Sequence, residues 1–170
     1  RFIADHPDQV PTRLIDPDLL TLFNKLALSE FAAIATNSAQ DYTTALLRKH
    51  GFSTDIPIYY NLHKPCHDGL SCAIDDQCNR ADDVLYIGDS ASDIIAADGC
   101  QMPSVAVTWG NTSTPENLKK AEPTQIANTV NELKACIRSF RNEEFKYEKR
   151  FDPDNYIFID NRQNDAGIEC

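Results

Sequence analysis

Apolar residues along this chain come in two rhythms. Four short runs, Phe31-Ala-Ala-Ile-Ala-Thr36, Ile56-Pro-Ile-Tyr-Tyr60, Val84-Leu-Tyr-Ile87 and Ser104-Val-Ala-Val-Thr108, show little or no polar alternation. Such runs suit strands covered on both faces, as in a parallel sheet between helices. Between them apolar positions recur three and four apart, the helical period. Asp16-Pro17 predicts a helix start, with Asp as cap and Pro in the first turn, followed by Leu19, Leu20, Phe23 and Leu26. Ala39 to His50 predicts a second helix stopped at Gly51, and Lys64-Pro65 precedes a helical stretch to about Ile74. Gly88-Asp89-Ser90 leads into a helix ended by Gly99, while Ile126, Val130, Leu133, Ile137 and Phe140 predict a last amphipathic helix. Strands alternating with helices predict an α/β fold with a parallel sheet flanked by helices. Residues 1–15 read as an entry segment, 16–140 as the core, and 141–170 as a charged helical extension with one more apolar run, Tyr156-Ile-Phe-Ile159.

The stretch Val84 to Gly110 carries the first chemistry. Its strand stops at Gly88, so Asp89 falls at the carboxyl end, where open α/β sheets bind ligands. Asp93 follows on the first turn of the helix. Two carboxylates there can serve one cation, and magnesium suits them because it takes oxygen ligands and keeps several waters. They can equally cap the helix and offset its dipole. Two further stretches tip the balance. Ile34-Ala-Thr36-Asn37-Ser38 puts a hydroxyl and an amide at a strand end, able to donate to a phosphate oxygen. Lys64 puts an ammonium before a helix start, able to neutralise a phosphate. A hydroxyl, a cation and a metal-binding pair are the parts phosphoryl transfer needs, because its catalysis is mostly positioning and charge stabilisation.

Charge narrows the partners. A net charge of −10 disfavours nucleic acid and anionic membrane, and no run reaches transmembrane length. Six cysteines occur without a CxxC pair, and Cys66, Cys72 and Cys78 recur six apart, on different faces of any helix. Zinc is therefore not expected, and free thiols in the cytoplasm are, since the opening residues lack a signal-peptide pattern.

With Ile34-Ala-Thr36-Asn37, Lys64-Pro65, Gly88-Asp89-Ser-x-x-Asp93 and Thr108-Trp-Gly110 in this order, the chain resembles the haloacid dehalogenase-like (HAD) superfamily, in particular its phosphoglycolate phosphatase-like members with a helical cap. The resemblance runs from about Val10 to Leu133. It implies a three-layer Rossmann-like core and a magnesium-dependent phosphomonoester hydrolase acting on a phosphorylated small molecule. It assigns phosphate binding to Thr36, Asn37 and Lys64, stabilisation of the nucleophile also to Lys64, and Mg2+ to Asp89 and Asp93.

The family's first motif, a strand ending in Asp-x-Asp whose first Asp attacks phosphorus, has no clean copy here. Three accounts fit. In the favoured one, the chain is part of a longer product, or descends from one, and its first residues are the last of a cap. In the second, Leu14-Ile-Asp16-Pro-Asp18 stands in, although Pro17 suits a helix start better. In the third, Tyr156–Ile159 supplies the strand and Asp160 the nucleophile. Arg162 would then replace the second acid, and a guanidinium is no general acid at neutral pH. The family's first strand lies between those ending at Thr36 and Gly88. Its loss leaves buried backbone groups unpaired at about 1–3 kcal/mol each, against total stabilities of about 5–15 kcal/mol. The position is therefore expected to be filled by Tyr156–Ile159, by a slipped rearrangement or by another chain. Without catalysis, the same fold would serve as a binding module or a subunit completed by a partner.

Overall fold

The structure, a computed structural model, describes residues 16–29, 32–77, 79–110 and 112–142. In chain order it contains α1 (Pro17–Leu28), β1 (Ile34–Ala35), α2 (Gln40–Lys49), β2 (Ile58–Tyr59), α3 (Asp68–Asp76), a 3-10 turn (Ala81–Asp83), β3 (Tyr86–Gly88), α4 (Ala91–Gly99), β4 (Ser104–Val107), α5 (Pro115–Lys120), β5 (Gln125–Ala127) and α6 (Val130–Arg141). All strand pairs are parallel, as α/β alternation dictates.

Helix starts follow their capping chemistry. Asp16 accepts from the Asp18 and Leu19 amides and thereby opens α1. It is an exposed cap, so the reading of Asp16-Pro-Asp18 as a nucleophile motif fails: its carboxylate is spent on its own helix. Ser90 and Asp93 form a reciprocal capping box on α4. Thr114 and Thr129 cap α5 and α6.

One expectation needs correction. The last amphipathic pattern does not begin at Ile126: that residue lies in β5, paired with Ala106, and Thr129 starts α6 after it. Gln125–Ala127, beside β4, is drawn into the sheet, although Ile126 and Val130 also fit a helical period. The helix that Lys64-Pro65 precedes runs from Asp68 to Asp76, after a loop in which Asn61 and His63 hold left-handed backbone (φ 54° and 58°). Among the described residues the parallel sheet falls into two ladders. β1 and β2 form one ladder, and β3, β4 and β5 another. The extension 143–150 and the run Tyr156–Ile159 lie outside the described residues.

Alternation along β4 separates two core layers. Val105 and Val107 face Leu133 and Cys136 of α6 and Leu19 and Leu22 of α1. Ala106 faces Ile94 of α4 and Leu118 of α5. α1 and α6 thus cover one face, and α4 and α5 the other. On the second face, Tyr86 joins Leu70, Ile74, Ala96, Ala97 and Met102, which docks α3 beside α4. β4 is buried along its whole length, whereas β1 is only half-buried and Ile87 of β3 is 40% exposed.

Candidate active site

Between β1 and β3 lies a cleft of about 440 Å³, lined at its carboxyl end by Thr36, Lys64, Gly88, Asp89, Asp93, Trp109 and Gly110. Parallel strands bring these together because each ends on the same rim, with loops aimed across it. Thr36 follows β1, where its amide still bonds to Tyr59 of β2. Its hydroxyl accepts from the Ser38 amide at 3.1 Å, which leaves the hydroxyl proton to donate into the cleft.

Lys64 reaches in from the loop after β2. Asn37 fixes that loop from both sides: its amide nitrogen donates to the Lys64 carbonyl (3.0 Å), and its oxygen accepts from the Lys64 amide (2.7 Å). Asn37 therefore acts on the site through Lys64 rather than by pointing into it. The Lys64 ammonium donates to the Ala35 carbonyl (2.9 Å), the Tyr86 hydroxyl (2.8 Å) and Asp93 Oδ1 (2.5 Å). An ammonium has three protons, so all three are engaged. The pair is nearly dry, with 7% of the Lys64 side chain and 11% of the Asp93 side chain exposed.

Asp93 is held on both oxygens. Oδ1 also takes the Tyr86 hydroxyl proton (3.3 Å), and Oδ2 accepts the Ser90 hydroxyl (2.7 Å) and amide (3.3 Å). Burial raises the Tyr86 phenol well above its ordinary range, and the adjacent Asp93 charge adds to it, so the phenol stays protonated as a donor. Gly88 permits this contact, since a Cβ there would collide with the Asp93 side chain. Asp89 is the more available carboxylate. The Thr112 hydroxyl donates to its Oδ2 at 2.5 Å, Gly110 leaves room where a Cβ would strike the carboxylate, and Oδ1 has no hydrogen-bond partner among the described residues. A carboxylate on a cleft rim, with one oxygen that has no partner among the described residues, fits a cation that keeps most of its waters. Asp93 fits less directly, because its lone pairs already serve Lys64, Tyr86 and Ser90. No group of three or more His, Cys, Asp or Glu side chains suited to a metal occurs among the described residues.

The structure therefore brings Thr36, Lys64, Asp89 and Asp93 to one rim and sets Asn37 behind Lys64. Asp160 lies outside the described residues. Pattern reading missed Tyr86, which counts as one more apolar residue of its strand until its hydroxyl is seen between Lys64 and Asp93. It also gave no weight to Asn111-Thr-Ser113, yet Thr112 holds Asp89, and the Ser113 hydroxyl accepts the Ala91 amide at 3.0 Å. Among the described residues, Cys66, Cys72, Cys100 and Cys136 form no disulfide. No helix among the described residues is long and apolar enough to cross a membrane.

A Rossmann-like α/β layer with a hydroxyl, an ammonium and two carboxylates on one strand-end rim defines the class. Comparison makes it particular: the fold is that of the haloacid dehalogenase-like hydrolases, and residues 62–133 match the HAD-hydrolase-like family model. Among solved structures, a haloacid dehalogenase-like hydrolase from Bacteroides fragilis, so named by prediction, is 25% identical with a TM-score of 0.62, over 71% of this chain and 60% of that one. A phosphoglycolate phosphatase from Lactobacillus delbrueckii, also named by prediction, is 25% identical with a TM-score of 0.63, over 80% and 58%. A predicted phosphatase from Clostridium acetobutylicum is 25% identical with a TM-score of 0.64, over 72% and 59%. The chain thus spans about 60% of the length of the first of these structures and slightly less of the other two. No curated protein sequence matches it.

Proposed function

We propose that the rim of Thr36, Lys64, Asp89 and Asp93 binds the phosphoryl group of a small phosphomonoester with Mg2+ and hydrolyses it, in the cytoplasm. The observation that carries this reading is convergence: Thr36, Lys64 and Asp89 come from three separate loops yet line one cleft. Thr36 donates its hydroxyl proton to a phosphoryl oxygen. Lys64 neutralises a second oxygen by giving up one of its present acceptors. Asn37 keeps Lys64 in place. Asp89 offers Oδ1 to magnesium, and Asp93 completes the charge behind it. When bound, the metal ion supplies positive charge to the phosphoryl oxygens.

Asp160 is this chain's candidate nucleophile. Its carboxylate oxygen bonds to phosphorus as the bond to the alcohol breaks, giving an aspartyl phosphate. Water then attacks phosphorus and returns free Asp160 and inorganic phosphate. With Arg162 at the position of the motif's second acid, that position does not protonate the leaving alkoxide, so turnover favours leaving groups stable as anions. The expected result is hydrolysis of an aryl phosphate in Mg2+, far slower hydrolysis of an alkyl phosphate, and loss of both in Asp89→Ala. No turnover of either would rule out the phosphatase.

One observation favours a second reading. All three Lys64 protons are committed within the protein, and the described residues offer no third acid. A domain so arranged binds phosphate and cation without turning over. Calorimetric binding of inorganic phosphate that depends on Mg2+ and on Thr36, with no hydrolysis, would identify it.

A further inference from the structure

The cleft is also a gap between two half-sheets, and its edges have the form of strand edges. In β1 the Ile34 and Thr36 amides bond to Pro57 and Tyr59, so they face β2. Successive backbone groups alternate between the edges of a strand, which turns Ala35 toward the cleft. Its carbonyl there takes the Lys64 ammonium. In β3 the Tyr86 amide bonds to Pro103, on the β4 side, so Ile87 likewise faces the cleft. Two parallel edges thus confront each other across the gap.

The surroundings are under-covered in a matching way. Ile87, on the edge strand β3 beside the gap, is 40% exposed. Leu19, Leu22, Phe23 and Leu26 form the apolar stripe of α1, yet all four remain half-buried. On the other face the Tyr86 ring closes the gap, with its hydroxyl on Lys64 and Asp93. A segment lying between α1 and Tyr86 is covered on both faces and must be apolar without alternation.

We infer that Tyr156-Ile-Phe-Ile159 of this chain docks into the gap as a parallel strand between β1 and β3, which places Asp160 level with Thr36 and Asp89. Its four consecutive apolar side chains meet the composition that the two covered faces demand. The path also fits. α6 follows β5, so it starts at the rim carrying the site and ends at the opposite edge, from which a new strand must enter to run parallel. Lys134 of α6 pairs with Asp18 of α1 at 3.0 Å, so the two helices lie side by side beginning at the same rim. Residues 142–155 supply up to about 3.3–3.6 Å of reach each. The gap lies three strand spacings from β5, roughly 15 Å. Handedness agrees as well. The steps β3-α4-β4 and β4-α5-β5 move away from the gap with their helices on one face, and a return across α6 on the opposite face keeps the same hand, the right-handed one of nearly all such crossovers.

Docking and phosphatase chemistry can fail separately, so the test reads the strand and not turnover. Nuclear magnetic resonance on the full chain should show contacts between the Ile87 amide and backbone protons of Tyr156–Ile159, and slow exchange of the Ala35 and Ile87 amides. Ile157→Pro, which removes a donor from the strand, should speed exchange at Ala35 and Ile87 at least tenfold while β4 stays protected. Gln163→Pro should leave both unchanged. The wild-type contacts decide the matter even if Ile157→Pro does not fold. The inference is overturned if Ile87 exchanges at the rate of an open amide, if its contacts lead to residues 10–15, or if protection disappears on dilution as a dimer dissociates.

Discussion

Replacing Lys64 by Met tests whether the centre of this site is the dry ion pair the geometry describes. The Lys64 and Asp93 side chains are 7% and 11% exposed and meet at 2.5 Å. Met keeps the aliphatic stem and removes the charge, so the packing loss is small. Asp93 then keeps the Ser90 and Tyr86 donors but loses its only cation among the described ion pairs. Breaking one side of a buried pair costs about 3–5 kcal/mol, mostly from the charge left behind. The remaining hydroxyl bonds place Lys64→Met near the lower end, about 3 kcal/mol. Asp93→Asn should cost less than Lys64→Met, because Lys64 still has the Ala35 carbonyl and the Tyr86 hydroxyl as acceptors and asparagine can still accept from Ser90. The double variant should be more stable than Lys64→Met alone, since neither charge remains to be stranded. Urea unfolding of all four proteins gives the coupling directly. A Lys64→Met loss below about 1 kcal/mol, the range of surface pairs, or strict additivity in the cycle, would show a solvated pair and refute the argument.

Tyr86 makes a pH prediction. Its phenol is raised above the ordinary value of 10.0 in the folded chain, so above that pH the unfolded chain loses this proton first and binds fewer protons than the native state. Stability should then fall by up to about 1.4 kcal/mol per pH unit above 10, and Tyr86→Phe should shallow that slope, as alkaline urea titrations would show. Ser90→Ala removes an N-cap and a donor to Asp93, and thermal unfolding should register a loss of about 1–2 kcal/mol. Leu133→Ala, in the layer between α6 and β4, should cost about 2–5 kcal/mol by the same measurement. The Cys100 thiol is held above its usual pKa, chiefly by burial, so near pH 8 it should alkylate more slowly than exposed Cys66; equal rates by mass spectrometry would contradict its burial.

What was legible in the sequence is what depends on one position at a time. Gly88-Asp89 at the end of an apolar run can be read without tertiary knowledge, because only glycine leaves space beside Asp93 and the strand's end sets Asp89 on the rim. The cap at Asp16 is equally local. Roles that depend on two distant positions are less readable. Nothing in the run Val84–Ile87 distinguishes Tyr86 from a packing residue, since its function lies in two partners, 22 and 7 positions away. Asn37 looks like a phosphate ligand by position and becomes a clamp only because Lys64 folds back onto it. Gln125–Ala127 was lost to helical periodicity for the same reason, being a strand by virtue of the β4 edge it meets.

The gap between β1 and β3 shows what such pair-dependence means for function. Each half-sheet satisfies its own pairing, yet the residues proposed to act on phosphate stand on opposite sides of the division, Thr36 with β1 and Asp89 with β3. Their spacing is set by whatever lies between, and a small misplacement in a reacting constellation costs far more in rate than in binding. Lys64 now bridges the division by bonding Ala35 on one side and Asp93 on the other, and the Tyr86 hydroxyl reaches the same Ala35 carbonyl at 3.5 Å. A strand inserted there would take over that bridging through its backbone and leave the lysine free to meet a phosphoryl oxygen. Closure of the sheet and readiness of the site would then be one event. On this argument Ile157→Pro should weaken phosphate binding in Mg2+ about as much as it loosens the Ile87 amide. Full binding with a freely exchanging Ile87 would show that the two halves hold their spacing without a strand between them.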